Sequence, residues 1–288
     1  MSSSEEPPFR HVAIVGLGLI GGSIALGVRE AWPPVRVTGV DRQAVLAHAI
    51  GSGAIHRGNE TVQSIGEPDL VILAAPVRQN VQLFRDVAGR LPATSVITDV
   101  GGTKRDIVST ARALAAGPAF VGGHPIGGGE RGGFGFARPD LFSRRPWIFT
   151  PDASTPPQAL ERLSNFARGL GARPSMMDAE EHDRVMAFLS HLPQLTASAL
   201  MDVIGQAAHS DGLRLAGRGL VDTTRLASSP ASVWKDICAA NAEEIGTALD
   251  TLIARLTELR ADLRDGRTIE AVFDEAGRWR AELMRERE

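Results

Sequence analysis

The stretch from His11 to Glu30 leaves this chain few folds to choose from. His11 to Val15 (HVAIV) is a short apolar run rich in β-branched residues, and it passes without a linker into Gly16-Leu17-Gly18-Leu19-Ile20-Gly21-Gly22-Ser23, after which a helical pattern continues to Glu30. This is G-x-G-x-x-G set between a strand and a helix. Each glycine has a duty there: Gly16 permits a tight turn, Gly18 lets the backbone approach a pyrophosphate, and Gly21 lets helix and strand pack closely. The N–H groups at the helix start, around Leu19 and Ile20, then face the phosphates. A match of this kind taken alone is weak, so the following residues must carry the same pattern.

They do. Val35 to Val40 (VRVTGV) reads as a second strand ending at Asp41, about twenty residues beyond Gly21. A carboxylate there accepts hydrogen bonds from the ribose hydroxyls of NAD and repels the extra phosphate of NADP, whereas Arg42 beside it is able to stack on adenine or grip a 2′-phosphate. NAD is the favoured cofactor; the plainer alternative is that Asp41 only caps the next helix, Gln43 to Ile50. The alternation continues with a strand at Asp69 to Ala74 closed by Pro76, a helix at Val77 to Leu91, a strand at Ser95 to Thr98 ending in Asp99, a helix at Lys104 to Ala115 and a strand at Ala119 to Val121. Strand and helix in strict turn predict a parallel, doubly wound (Rossmann-like) sheet whose ligands bind at the carboxyl ends of the strands. Three such ends meet on one rim: Ala74-Ala75-Pro76, Asp99 to Lys104, and Gly122 to His124. We therefore assign Gly16, Gly18, Leu19, Ile20, Gly21, Asp41, Arg42, Ala75, Pro76 and Asp99 to the cofactor. Strands at Pro146 to Pro151 and Arg173 to Met177, with the helix Pro157 to Gly169 between them, extend this α/β domain over residues 11–177, behind a tail, 1–10, expected to be frayed.

On the same rim falls Val121 to Phe136, VGGHPIGGGERGGFGF, too rich in glycine to be packed helix or strand. It is either a surface connection or the segment that brings His124 and Glu130 to the cofactor, and its place at a strand end favours the second reading. From Asp178 the pattern is wholly helical, predicting an all-α domain over 178–288. Pro193 removes the N–H that would bond to the carbonyl of Leu189 and should bend the first helix there, with His191 and Gln194 sharing a side of it at the bend. Ser229 suits an N-cap and Pro230 the first position of a further helix running past Trp234 and Asn241. Beyond it Ile245, Leu249, Leu252, Ile253, Leu256 and Leu259 recur at helical spacing, too apolar for an exposed face, so a homodimer through the C-terminal helices is expected. Arg278 to Glu288 reads as a solvated terminal helix.

Composition closes off other classes. With 43% hydrophobic and 23% charged residues in 288, the chain can bury a substantial core. A net charge of -3 gives no basic field for nucleic acid, so an anionic ligand must be held by local arginines or lysines. Cys238 is the only cysteine, which excludes an intramolecular disulfide and a cysteine-rich metal site. No metal is expected at His124 and Glu130, which lack a third ligand at suitable spacing. The leader MSSSEEPPFR has no apolar core and no window approaches the ~18 apolar residues of a membrane span, so we expect a cytoplasmic protein without a membrane partner.

In order along residues 11 to 245, GLGLIGGS, DVGGTK (Asp99 to Lys104), GGHPIGGGERGG, HD…SHLPQ (His182 to Gln194) and TRLASSPASVWKDI (Thr224 to Ile237) resemble the prephenate and arogenate dehydrogenases of tyrosine biosynthesis. Only the first motif is widely shared among dinucleotide enzymes. The resemblance implies NAD-dependent oxidation of prephenate, a small dicarboxylate, with loss of its ring carboxylate as CO2 to leave 4-hydroxyphenylpyruvate. It implies that His124 is the catalytic base, that Glu130 gates or organises the pocket, that Arg225 holds the side-chain carboxylate, and that Trp234 and Gln194 belong to the substrate site, to which we add His191, on the same side of the bend as Gln194, and Thr103.

Two positions depart from the family pattern. Gly102 stands where the family carries a serine that hydrogen-bonds the ring hydroxyl and the histidine, and Gln194 stands where many members carry a second histidine. Thr103 can replace the missing hydroxyl only if the loop turns differently. Gly102 otherwise suits a different ring substituent, as in 4-amino-4-deoxyprephenate, and arogenate is a further alternative because nothing in Arg225 distinguishes a keto acid from an amino acid. Outside the family, a hydroxyacid or imine reductase would explain the first half and the helices but not HPIGGGE with TRLASSPASVW, and a nonenzymatic NAD sensor is the remaining class.

Overall fold

The computed structural model describes residues 6–114, 117–129 and 131–285. β1 (His11–Val15) is buried along its whole length, and its side chains divide by parity as a pleated strand requires: Val12 and Ile14 enter one core cluster, Ala13 and Val15 the other. A tight turn leads to α1 (Leu19–Ala31), then β2 (Arg36–Val40), α2 (Gln43–Gly51), β3 (Arg57–Asn59), β4 (Leu70–Leu73), α3 (Val77–Ala88), β5 (Val96–Asp99), α4 (Arg105–Ala113), β6 (Ala119–Pro125), β7 (Pro146–Thr150), α5 (Pro157–Gly169) and β8 (Arg173–Met176). They form an eight-stranded sheet of order β3-β2-β1-β4-β5-β6-β7-β8, in which the chain reverses direction of travel at β1, between β2 and β4. That reversal is the crevice where a doubly wound sheet binds its ligand.

The sheet differs from the expected one in three respects. β3 was not foreseen; three residues are too few to leave a pattern. β6 does not stop at Val121 but runs on through Gly122, Gly123 and His124 to Pro125, so the first part of the glycine-rich stretch is strand after all. Gly123 allows this by having no side chain, since a Cβ there would lie 2.6 Å from the carbonyl oxygen of Asp99. β6 and β7 also pair antiparallel rather than parallel, Gly123 opposite Phe149 and His124 opposite Ile148. The cause is the connection: the chain leaves and re-enters at the same rim, with the amide of Ile126 bonded to the carbonyl of Pro146 at 2.9 Å, and no crossover helix carries it to the other end.

Nor are residues 8–10 frayed. Phe9 is 2% exposed, the amide of Arg10 donates to Asp69 Oδ2 at 2.7 Å, and Arg162 Nε donates to the carbonyl of Pro8 at 3.0 Å.

The helices that follow are α6 (Ala179–Met186), α7 (Leu192–Leu213), α8 (Arg218–Thr224), α9 (Ala231–Ala240), α10 (Ala242–Ala261) and α11 (Arg267–Arg285). Between α6 and α7 a π-helical turn at Ala187–His191 replaces the bend expected at Pro193, which instead sits in the first turn of α7 where its missing N–H costs nothing. The helix expected to run past Asn241 ends there: Asn241 has φ -129° and turns its side chain inward. Pro230, not Ser229, is the cap residue of α9. Two compact units divide between Ala242 and Glu243, so α6 to α9 belong with the sheet, while α10 and α11 form the second unit.

The turn after β1 shows which glycine serves packing. A Cβ on Gly21 would fall 1.9 Å from the carbonyl oxygen of Gly16, whereas one on Gly18 would meet nothing within 4 Å. Gly21→Ala should therefore lower the unfolding free energy by about 1–3 kcal/mol, as overpacking does. Gly18→Ala should cost under about 1 kcal/mol, the loss of a favourable cap. Urea unfolding of the two variants checks this, and equal losses would contradict the packing argument.

Candidate active site

At the rim, the turn from Gly16 to Gly21 packs directly on the end of β4: a Cβ on Gly16 would fall 2.6 Å from the carbonyl oxygen of Ala74 and 2.9 Å from the amide nitrogen of Ala75. No side chain caps the first turn of α1 and no acid lies in it, so the helix start is set up for an anion. Asp41 closes β2: its Oδ2 accepts from the amide of Leu17 at 2.7 Å and its Oδ1 from the amide of Arg42 at 2.7 Å, with the Arg42 side chain exposed beside it. Asp41 is thus tied to the glycine turn rather than capping α2, whose cap residue is Arg42 with no side-chain cap bond. The open face at Gly18, the uncapped helix start and the carboxylate at the end of β2 together fit a dinucleotide. Ala75 and Pro76 lie where β4 hands over to α3.

Asp99 does not take the cofactor role expected of it. Its carboxylate is buried and spent inside the protein, accepting from Lys104 Nζ, from the amide of Gly101 at 2.8 Å and from the amide of Gly123 at 3.1 Å. Lys104, fully buried, gives a second bond to the carbonyl of Gly123 at 2.8 Å. The two residues fix the backbone just before Gly102 and just before His124.

His124 stands near the end of β6, one edge of its ring still open. Its Nδ1 lies 2.9 Å from His182 Nε2, and His182 Nδ1 lies 2.8 Å from Asp183 Oδ1. Asp183 also accepts the amides of Lys104 at 2.7 Å and Arg105 at 3.0 Å, which makes it the N-terminal anchor of α4 from 79 residues away. On the far side of the ring, a Cβ at Gly102 would lie 3.9 Å from His124 Nε2 and 3.7 Å from Ile237 Cδ1. The Nε2–Cε1 edge of the ring therefore lies beside Gly102, with Ile237 of α9 close by.

The helical segment supplies the rest. His191 is buried, edge-on to Trp234 with ring centroids 6.0 Å apart, and its Nδ1 lies 3.3 Å from Asn241 Nδ2. Asn241 in turn donates to the carbonyl of Asp183 at 2.8 Å and accepts from Arg105 at 2.8 Å. Gln194, expected on the substrate, has its amide engaged by the protein: Nε2 donates to the carbonyl of Leu226 at 2.7 Å and Oε1 accepts from Ser229 Oγ at 3.0 Å. It holds the 3₁₀ turn Arg225–Ser228 on which the exposed Arg225 stands. Thr103 is 2% exposed, and its hydroxyl is buried without a protein hydrogen-bond partner, so it does not bond His124 as a hydroxyl at Gly102 would. Glu130 lies outside the described residues.

Sequence reasoning missed Lys104, His182, Asp183, Ile237 and Asn241. The adjacent His-Asp pair at the start of a helix was the available signal. It gained meaning only once the fold set it against the strand bearing His124.

Burial dominates the titration of this cluster. It pulls His124 well below the ordinary histidine value, and the basic groups nearby, His182, Lys104 and His191, act in the same direction by opposing a further positive charge. Burial also lowers His182, against the pull of Asp183, and takes His191 to about 4. A histidine whose folded pKa is depressed takes its proton more readily in the unfolded chain. Stability is then complete above the unfolded value, near 6.5, and is lost as pH falls toward the folded one. His191 alone should cost roughly 1 kcal/mol per pH unit between 6.5 and about 4. The urea midpoint should fall from pH 7.5 to pH 5, and a midpoint that rose would contradict the burial argument.

With that geometry established, comparison with known proteins is informative. The family model described as prephenate dehydrogenase, nucleotide-binding domain, matches residues 24–176, and the one described as prephenate dehydrogenase, dimerization domain, matches residues 178–273. A prephenate dehydrogenase of Bacillus subtilis is 36% identical over 259 residues, covering 86% of this chain and 69% of that protein. A cyclohexadienyl dehydrogenase of Zymomonas mobilis is 33% identical over 285 residues, 96% of each chain. The crystal structure of prephenate dehydrogenase from A. aeolicus in complex with hydroxyphenyl propionate and NAD+ superposes with TM-score 0.88 at 28% identity, covering 95% of this chain and 98% of that one. A glycine turn open to a dinucleotide, a half-buried histidine at the rim and both family domains in order lead to one conclusion: the chain belongs to the prephenate dehydrogenase family.

Proposed function

We propose that the protein oxidises prephenate to 4-hydroxyphenylpyruvate and CO2, with His124 as the base; the observation that carries this is His124 Nε2 turned toward Gly102 at the carboxyl end of the sheet. The Gly16–Gly21 turn and Asp41 would hold NAD, which would supply the acceptor for the hydride on the ring carbon that bears the hydroxyl. His124 Nε2 takes the hydroxyl proton from the same carbon. As the carbonyl forms, the electron pair of the bond between ring and carboxylate enters the ring and pushes the carbonyl π pair onto its oxygen, CO2 departs, and that oxygen takes the proton back from His124 to give the phenol of an aromatic product. The low pKa of His124 keeps the ring neutral at physiological pH, which is the form able to accept a proton.

The planar fork of Arg225 suits the side-chain carboxylate, and Gln194 serves it by anchoring its turn. Trp234, backed by His191, offers an apolar wall. The Asp41 carboxylate selects NAD over NADP.

Two copies pair through the C-terminal helices: α10 and α11 carry Ile253, Leu256, Phe273 and Trp279 exposed, Phe273 at 71% and Trp279 at 67%, a large apolar surface for a single chain to leave in water. Among the described residues no helix is long and apolar enough to cross a membrane, and we place the enzyme in the cytoplasm.

A second reading concerns the ring substituent. Gly102 is not required by its backbone or by crowding, since a Cβ would meet only ordinary contacts. It leaves space beside Nε2 that would suit an amine on the reacting carbon, as in 4-amino-4-deoxyprephenate, while arogenate would differ only at the side chain.

His124→Asn should lower kcat on the order of 100-fold or more with little change in NAD affinity, followed as NADH formed on adding prephenate; a variant with the wild-type rate would remove His124 from the reaction. Supplying prephenate, arogenate and the 4-amino analogue to the wild-type enzyme should give the highest kcat/KM for prephenate. A clear preference for the amine would replace the first reading by the second.

A further inference from the structure

The bonds behind His124 dictate which of its nitrogens is bare. A carboxylate only accepts, so Asp183 Oδ1 takes its hydrogen from His182 Nδ1. Burial keeps His182 neutral, and a neutral imidazole with Nδ1–H has a lone pair at Nε2. That lone pair, 2.9 Å from His124 Nδ1, takes its hydrogen from there, leaving the lone pair of His124 at Nε2 on the side of Gly102 and Ile237.

We propose that His182, oriented by Asp183, is a positioning residue that holds His124 in the Nδ1–H tautomer and so keeps its proton-accepting nitrogen on the substrate side. The proposal rests on the reading of His124 as the base. In the reaction the substrate O–H bond breaks and the Nε2–H bond forms, so His124 becomes an imidazolium whose Nδ1–H still points at His182. The proton goes no further. Asp183 is held as a carboxylate by His182 Nδ1–H and the amides of Lys104 and Arg105, and it steadies the new charge through the His182 ring instead of accepting the proton. Because Asp183 comes from α6 and the amides it binds begin α4, the tautomer is correct only when the helical segment is seated on the sheet.

Long-range proton–nitrogen NMR on enzyme labelled with ¹⁵N-histidine, without substrate at pH 7.5, tests this on the wild type, His182→Phe and His182→Gln. The wild-type His124 should show a protonated Nδ1 and a bare Nε2. Phenylalanine keeps the ring volume but offers no acceptor, so the Nε2–H form should appear, with kcat down on the order of 100-fold and both KM values within about 3-fold. Glutamine can accept through Oε1 and should restore the Nδ1–H form and most of kcat. An unchanged His124 spectrum in His182→Phe, or a raised KM with kcat intact, would overturn the proposal. Should His182→Phe fail to fold, an Nε2–H signal in the wild type, or no recovery with glutamine, would do so by itself. A wild type with the Nδ1–H form but no turnover of prephenate would support the tautomer lock and count against the substrate reading, which keeps the two failures apart.

Discussion

The buried ion pair between Lys104 and Asp99 is the interaction on which the rest of the site depends. An amine and a carboxylate removed from water are tolerable only if both are fully bonded. Here Lys104 reaches Asp99 and the carbonyl of Gly123, and Asp99 takes the amides of Gly101 and Gly123 besides. Loss of either partner would leave an isolated buried charge, a defect of about 3–5 kcal/mol. Burial pulls the lysine toward its neutral form while Asp99 draws it back, and the resulting positive centre beneath β6 is one reason His124 stays unprotonated. The same pair that fixes the backbone therefore also tunes the base.

Asp183 does for the helical segment what the ion pair does for the strands. It closes the start of α4, orients His182, and through its own carbonyl receives Asn241 at the end of α9. Arg105 completes the circuit by donating to Asn241. A single residue thus joins three elements, and it explains why α9 stops where continued apolar spacing would have let it run on: the Asn241 amide is worth more turned inward than left on a helix surface.

How much of this was legible in the amino-acid sequence depended on whether the information was local. The strand, glycine turn and helix from His11 onward are encoded by neighbouring residues, and the structure places them within a residue or two of expectation. The direction of β7 was not legible. It is set by the return of the chain to the rim it left, which no short pattern encodes. Asp99 read as a cofactor residue because it ends a strand on the binding rim, and only the position of Lys104 five residues on, folded back beneath it, shows the carboxylate to be turned inward. Gln194 was picked out by its place beside His191, yet what it binds lies 32 and 35 residues away on another turn. His182 and Asp183 were visible as letters, but their meaning depended on an approach from 58 residues distant.

His124 sits on a strand paired with β7, not on the irregular chain that follows. The base and the loop beyond it are therefore mechanically independent. The hydrogen bond from Ile126 to Pro146 closes the sheet before residue 127, so the reacting nitrogen is held in register by strand pairing and not by the conformation of the glycines that follow.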